Sequence, residues 1–184
     1  LKGAAEMDVH FRDTPLDSNV PAKLAMLDVF RHSGKDNAPT RTVLAYAHRL
    51  RKLPDFLQQL EMESNGKSVT ADGAPLGRAS APVTWGGVGT DAQHAVFQLL
   101  HQGTHTIPVE FIASKTPGHD FDPAHHETLL INCFAQGAAL MRGRDSADKA
   151  RSYAGDRPST TILMDDVTPS AVGALIACYE HRTF

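Results

Sequence analysis

The sequence predicts an α/β fold in which a parallel sheet is covered by helices on both faces. Three observations carry that prediction. Short apolar runs rich in β-formers alternate with stretches of helical periodicity through most of the chain. No period of about 20 to 50 residues repeats, so a solenoid or propeller is excluded. The 184 residues match one globular domain with room for a real core. The composition, 41% hydrophobic and 21% charged with 14 Gly and 11 Pro, argues against disorder and collagen-like repeats.

Met7 and Phe11 suggest a first helix that ends near Asp13-Thr14-Pro15. Asn19 is placed to cap a second helix, because Pro21 sits where a missing N–H costs nothing; Leu24, Leu27, Val29 and Phe30 supply its apolar face. Residues 33–39 form a polar loop, and TRTVLAYA at 40–47 reads as a strand. A helix over 49–63 carries Leu53, Phe56, Leu57 and Leu60 at helical spacing, its regular part starting close to Pro54. The Gly-, Ser- and Asp-rich stretch 64–80 is a loop with a small hairpin expected at Asp72-Gly73. Pro82 to Trp85 leads as a strand into a glycine-rich turn, Gly86 to Gly89, and a helix opens at Thr90-Asp91 with Ala95, Val96, Leu99 and Leu100 apolar. A strand at 106–113, a strongly apolar helix at 127–141, a strand at 160–164 and a helix at 169–179 complete the alternation.

With 18 Lys plus Arg against 21 Asp plus Glu, the net charge is −3, so no global basic field favours nucleic acid or an anionic membrane. No apolar run reaches the ~18 residues of a membrane span, and no leader-like segment opens the chain, so a soluble protein is expected. Cys133 and Cys178 lie in apolar helical stretches and read as buried thiols of a reducing compartment. Leu1 stands where an initiator Met would be, and ALIACYEHRTF runs to the end without a Gly stop, so part of a longer protein is expected.

Two segments carry candidate chemistry. Gln59 and Glu63 are four apart and share one helix face, whereas Glu61 points elsewhere. A carboxylate at a helix C-terminus faces the negative end of the dipole, which disfavours its charge and makes it a plausible proton acceptor. From spacing alone a solvated surface glutamate is the commoner reading, because Glu near a helix end is frequent. His94 is expected in the first turn of the helix that follows the glycines, where a positive helix end favours neutral imidazole. The glycines lack the third member of a dinucleotide fingerprint and are open to the reading of a plain tight turn. His125 and His126 are adjacent and diverge by about 100° on a helix, His101 and His105 are separated by Gly103, and no metal set emerges. Arg142, Arg144, Lys149 and Arg151, interleaved with Asp145 and Asp148, read as an exposed helix face.

MESNGK at 62–67, WGGVGTDAQHAVFQLLHQGTHTIP at 85–108, AHHETLLINCFAQGAALMRG at 124–143, RPSTTI at 157–162 and GALIACYEH at 173–181 together resemble the glucose-6-phosphate isomerase family, in order, over nearly all the chain. AAEMDVHFRDTPLDSNVPAKLAML is similar to that family's helical segment between its two sugar-isomerase (SIS) domains. The resemblance implies a three-layer, flavodoxin-like SIS domain: residues 1–35 join the two SIS domains and 36–184 form the second, truncated at its C-terminus. It implies an aldose–ketose isomerase that interconverts glucose 6-phosphate and fructose 6-phosphate through an enediol in the cytoplasm, without metal or nucleotide.

In this resemblance Glu63 is the base that moves the proton between C1 and C2, Gln59 lines the substrate site, and His94 assists ring opening from the partner subunit of a homodimer. The family's phosphate cradle of Ser, Thr and Lys, the Arg of its G-G-R motif and a second acid–base Lys have no counterpart in this chain, so the 184 residues alone are expected to be inactive. Gly87-Val88 stands where Glu-Pro is frequent, and the link between Gly143 and Arg157 is short. Two rivals remain: a non-catalytic sugar-phosphate-binding SIS module, and a flavodoxin-like nucleotide binder that would hold its ligand at Gly86 to Gly89.

Overall fold

A computed structural model describes residues 1–34 and 37–184; within the loop expected at 33–39, Lys35 and Asp36 lie outside the described residues. The strands are β1 (Thr40–Ala45), β2 (Val83–Val88), β3 (Val109–Ser114) and β4 (Ser159–Met164). The helices are α1 (Lys2–Asp13), α2 (Val20–Ser33), α3 (Leu53–Asn65), α4 (Gly89–Ala95), α5 (Phe97–Gln102), α6 (Pro123–Arg142) and α7 (Pro169–Thr183). Among the described residues the four strands form one sheet in the order β2-β1-β3-β4, parallel throughout. The order reverses between β1 and β3, as in flavodoxin-like sheets.

Alternation along the two central strands sends side chains to opposite layers. Val43, Ala45 and Ile112 meet Leu50, Leu53, Leu57, Leu175 and Tyr179, so α3 and α7 cover one face. Leu44, Tyr46, Val109, Phe111 and Ala113 meet Ala92, Phe97, Leu100, Cys133 and Leu140, so α4, α5 and α6 cover the other. The result is the expected three-layer α/β sandwich. β3 is buried at every position, as a strand covered on both faces must be, whereas the edge strand β4 is only partly covered.

Local chemistry sets most boundaries. Asn19 Oδ1 accepts from Ala22 N at 3.2 Å and opens α2. Pro54 sits in the first turn of α3, and Thr168 caps α7 through Ala171 N at 3.1 Å. The expected hairpin forms, with Val69 bridging Pro75 and Gly73 at φ 84°.

Elsewhere the structure corrects the expectation. Leu27, Val29 and Phe30 do not face inward. α2 lies against α7 through a stripe of Pro21, Leu24, Asp28 and His32, and the ion pair of Asp28 with Arg182 turns that stripe inward. Gly86 and Gly87 are strand rather than turn, because β1 offers ladder partners as far as Ala45↔Val88. The helix that follows is not continuous: it breaks at Val96 (φ −129°) and restarts, so that Phe97 and Leu100 rather than Ala95 and Leu99 reach the core. The basic stretch is not a helix face either. α6 stops at Gly143 in a positive-φ conformation, and Arg144 bridges Tyr153 across a short excursion.

Candidate active site

The last two turns of α3 form one wall of a groove of about 670 Å³, lined by Phe56, Gln59, Leu60, Glu63, Lys67 and Glu180. As the four-residue spacing requires, Gln59 and Glu63 project together, and Gln59 Nε2 donates to Glu63 Oε2 at 3.2 Å. A helix C-terminus leaves carbonyls without partners. Lys67 Nζ supplies one, donating to the carbonyl of Glu63 at 2.9 Å and to that of Ser64. The Glu63 carboxylate itself is exposed, with Glu180 of α7 on the opposite rim. The groove therefore holds a carboxamide, two carboxylates and an ammonium around an open space, a set suited to a polyhydroxylated ligand and to proton transfer.

Glu61, two residues before Glu63, is buried against the sheet. Its Oε2 accepts from Arg41 Nε at 3.0 Å and from Thr84 Oγ1 at 2.6 Å, and its Oε1 from Arg41 Nη2. Burial raises the Glu61 carboxyl above its ordinary value, an effect that Arg41 and Thr84 only partly offset. Arg182 holds Asp28 with Nε at 2.5 Å and Nη2 at 2.8 Å and Glu110 with Nη1 at 2.7 Å. Burial raises the Asp28 and Glu110 carboxyls too, but the attraction of Arg182 and Arg41 outweighs it and keeps both below the usual carboxylate range. The spacing of sequence charges did not reveal this cluster. The available signal was Glu110 inside PVEFIA: a charge in a strand buried on both faces requires a buried partner.

His94 is exposed, and its position differs from the expected one. α4 begins at Gly89, directly after β2, and ends at Ala95, so His94 sits in its last turn rather than its first. The argument from a positive helix end does not apply to it. Nor does one chain bring His94 to Glu63. Arg41 and Thr84 are the second residues of β1 and β2, so Glu61 marks the N-terminal edge of the sheet. α4 leaves the C-terminal edge, where Gln93 Nε2 donates to Tyr46 Oη at 3.1 Å. The two side chains are separated by the length of a strand, roughly 16–20 Å, and by the sheet itself.

His126 is bonded through Nε2 to the Lys115 carbonyl at 3.0 Å while its neighbour His125 is exposed, and His101 meets Gln136 at 2.9 Å. Cys133 and Cys178 are free and buried.

A family model described as phosphoglucose isomerase matches residues 1–184. The chain belongs to the phosphoglucose isomerase family. It is 66% identical over 184 residues to a glucose-6-phosphate isomerase of Novosphingobium aromaticivorans, covering all of this chain and 36% of that protein. It is 58% identical, again over 184 residues, to that of Zymomonas mobilis, with the same coverage. The crystal structure of a glucose-6-phosphate isomerase from Chlamydia trachomatis superposes with a TM-score of 0.92 at 36% identity, over 99% of this chain and 36% of that one. The chain thus spans about 36% of the length of these phosphoglucose isomerase relatives.

Proposed function

We propose that the intact protein interconverts glucose 6-phosphate and fructose 6-phosphate, with Glu63 as the base. The Glu63 carboxylate takes the proton from C2 of the open-chain aldose as the electron pair left behind moves toward the C1 carbonyl, forming an enediol. O1 takes a proton from water as the enediol forms, and O2 gives one back as the same carboxyl returns its proton to C1 and the ketose forms. Gln59, already bonded to Glu63, orients sugar hydroxyls beside it. One observation carries the reading: Gln59 and Glu63 converge in one open groove at the end of α3. The family membership and the names of the relatives support it.

His94 opens the sugar ring at the Glu63 of a second copy. The placement of the two side chains toward opposite edges and opposite faces of the sheet within one chain supports this. The protein works as a homodimer. Residues 1–35, which stand outside the strand–helix alternation, join two SIS domains, and 36–184 belong to the second. We place the protein in the cytoplasm, in keeping with two free buried thiols. Among the described residues no helix is long and apolar enough to cross a membrane.

The test is Glu63→Gln in the intact protein. A coupled isomerisation assay is expected to show kcat lower by about 10²–10⁴-fold, the usual worth of a positioned proton-transfer group. Undiminished turnover would sink the enzyme reading and leave a sugar-phosphate-binding module in its place.

A further inference from the structure

We infer that Arg41, Glu61 and Thr84 form a buried clamp that positions Glu63 for proton transfer, an inference that rests on the isomerase reading above. Glu63 lies in the last turn of α3, where helices fray. A base there would sample many positions, yet proton transfer needs its oxygen within about 3–3.5 Å of the reacting carbon, and a misplacement of about 1 Å costs ~10²-fold.

The clamp removes that freedom. Arg41 and Thr84 are register partners on adjacent strands, and Glu61 docks onto both. Thr84 Oγ1 donates to Glu61 Oε2 at 2.6 Å while accepting from Arg41 Nε at 3.3 Å, so the three side chains close a ring of hydrogen bonds. Arg41 is 3% exposed and Glu61 8%, so water competes little for these bonds. The opposite wall of the groove is tied down in the same way. Glu180 of α7 is flanked by Tyr179, whose hydroxyl donates to Glu110, and by Arg182, which grips Asp28 and Glu110. Arg41 Nη1, 3.7 Å from Asp28, links the two halves. Asn65 Nδ2 donates to the Thr183 carbonyl at 2.8 Å and joins the helix ends directly.

A buried ion pair is roughly neutral for stability against an apolar pair of the same shape, because desolvation offsets attraction. Direction is what such a pair adds. Apolar packing through Leu57 and Leu60 holds α3 against the sheet but allows rotation and sliding; a carboxylate held by a guanidinium and a hydroxyl from two strands does not. None of the three lines the groove and all three are buried, so Arg41, Glu61 and Thr84 are positioning residues.

The experiment measures kcat, KM and melting temperature for variants of the intact protein. Thr84→Val keeps the side chain's shape and deletes the hydroxyl, whereas Thr84→Ser keeps the hydroxyl and loses a methyl. The expected result is a kcat about tenfold lower for Thr84→Val with KM within about twofold, and recovery to within about twofold in Thr84→Ser. Glu61→Gln carries the same expectation should Thr84→Val not accumulate. Unchanged kcat in Thr84→Val while Glu63→Gln is inactive overturns the positioning alone. Equal losses in Thr84→Val and Thr84→Ser overturn it too, since shape rather than the hydroxyl would then matter. Activity that survives Glu63→Gln overturns the reading of Glu63 as base, and the clamp's role falls with it.

Discussion

Gly89→Ala should disrupt the second layer of the fold, and the cost follows from one contact. A Cβ built at Gly89 would stand 2.1 Å from Cε2 and 2.2 Å from Cδ2 of Tyr46. An ordinary contact starts near 3.4 Å, so the ring must retreat by about 1.3 Å. It has nowhere to go. Tyr46 is 1% exposed, its ring edge faces Phe111 at 6.0 Å, and Phe111 is stacked in turn on Phe97. Overpacking of this kind costs about 1–3 kcal/mol. Urea denaturation of the 184-residue chain reads that loss directly. Gly87→Ala is the control, because a Cβ there meets nothing within 4 Å, and its expected effect is below about 0.5 kcal/mol. Equal stability of Gly89→Ala and the parent, or equal damage from Gly87→Ala, would refute the reasoning.

Acid should weaken the fold in a defined window. Asp28 and Glu110 have folded-state values below their unfolded ones, so their contribution is present above about pH 4–5 and disappears as the pH falls through the lowered values. Glu61, shifted upward, works in the opposite direction and is outnumbered. The urea midpoint is expected to drop between pH 5 and 3, and to drop less in Glu110→Gln; a flat profile would contradict the argument. The thiols should be inert. Burial pushes Cys133 up to about 12 and Cys178 up to about 11, so iodoacetamide at pH 8 should label them only in denaturant, and rapid labelling of the native chain would contradict the burial.

The sheet was legible because TRTVLAYA and TIPVEFIA are short runs rich in β-formers separated by stretches of helical periodicity, and that pattern admits few architectures. Asn19, Pro54 and Asp72-Gly73 announced their cap, helix start and hairpin through chemistry that acts within four residues. Where the reading failed, the deciding partner was distant in sequence. Phe30 reads as core until Arg182 draws Asp28 inward and turns α2 about its axis. Gly86 and Gly87 read as a turn until β1 supplies ladder partners some 43 residues away. His94 was misplaced for a related reason: the break at Val96 shortens α4 to a single short segment, and periodicity across 90–100 does not show the break. Gln59 and Glu63 were legible as a pair because helix geometry alone brings them together. Lys67 and Glu180 were not, since one depends on a turn after α3 and the other on the packing of α7.

The separation of Glu63 from His94 makes the dimer testable by mixing. If each site takes Glu63 from one copy and His94 from the other, a Glu63→Gln homodimer and a His94→Ala homodimer are each impaired at both sites. In a mixed pair, the copy bearing His94→Ala still has its own Glu63 and faces the intact His94 of the Glu63→Gln copy, so one site is whole while the other lacks both groups. Equal co-expression makes about half of the pairs mixed, each with one working site of two, which restores about a quarter of the parental activity. Sites built within one chain would instead gain nothing from mixing, because every site would lack one of its two groups. Activity of the mixture no higher than the mean of the two variants would therefore exclude a shared site, and with it the role of His94 at a partner's Glu63.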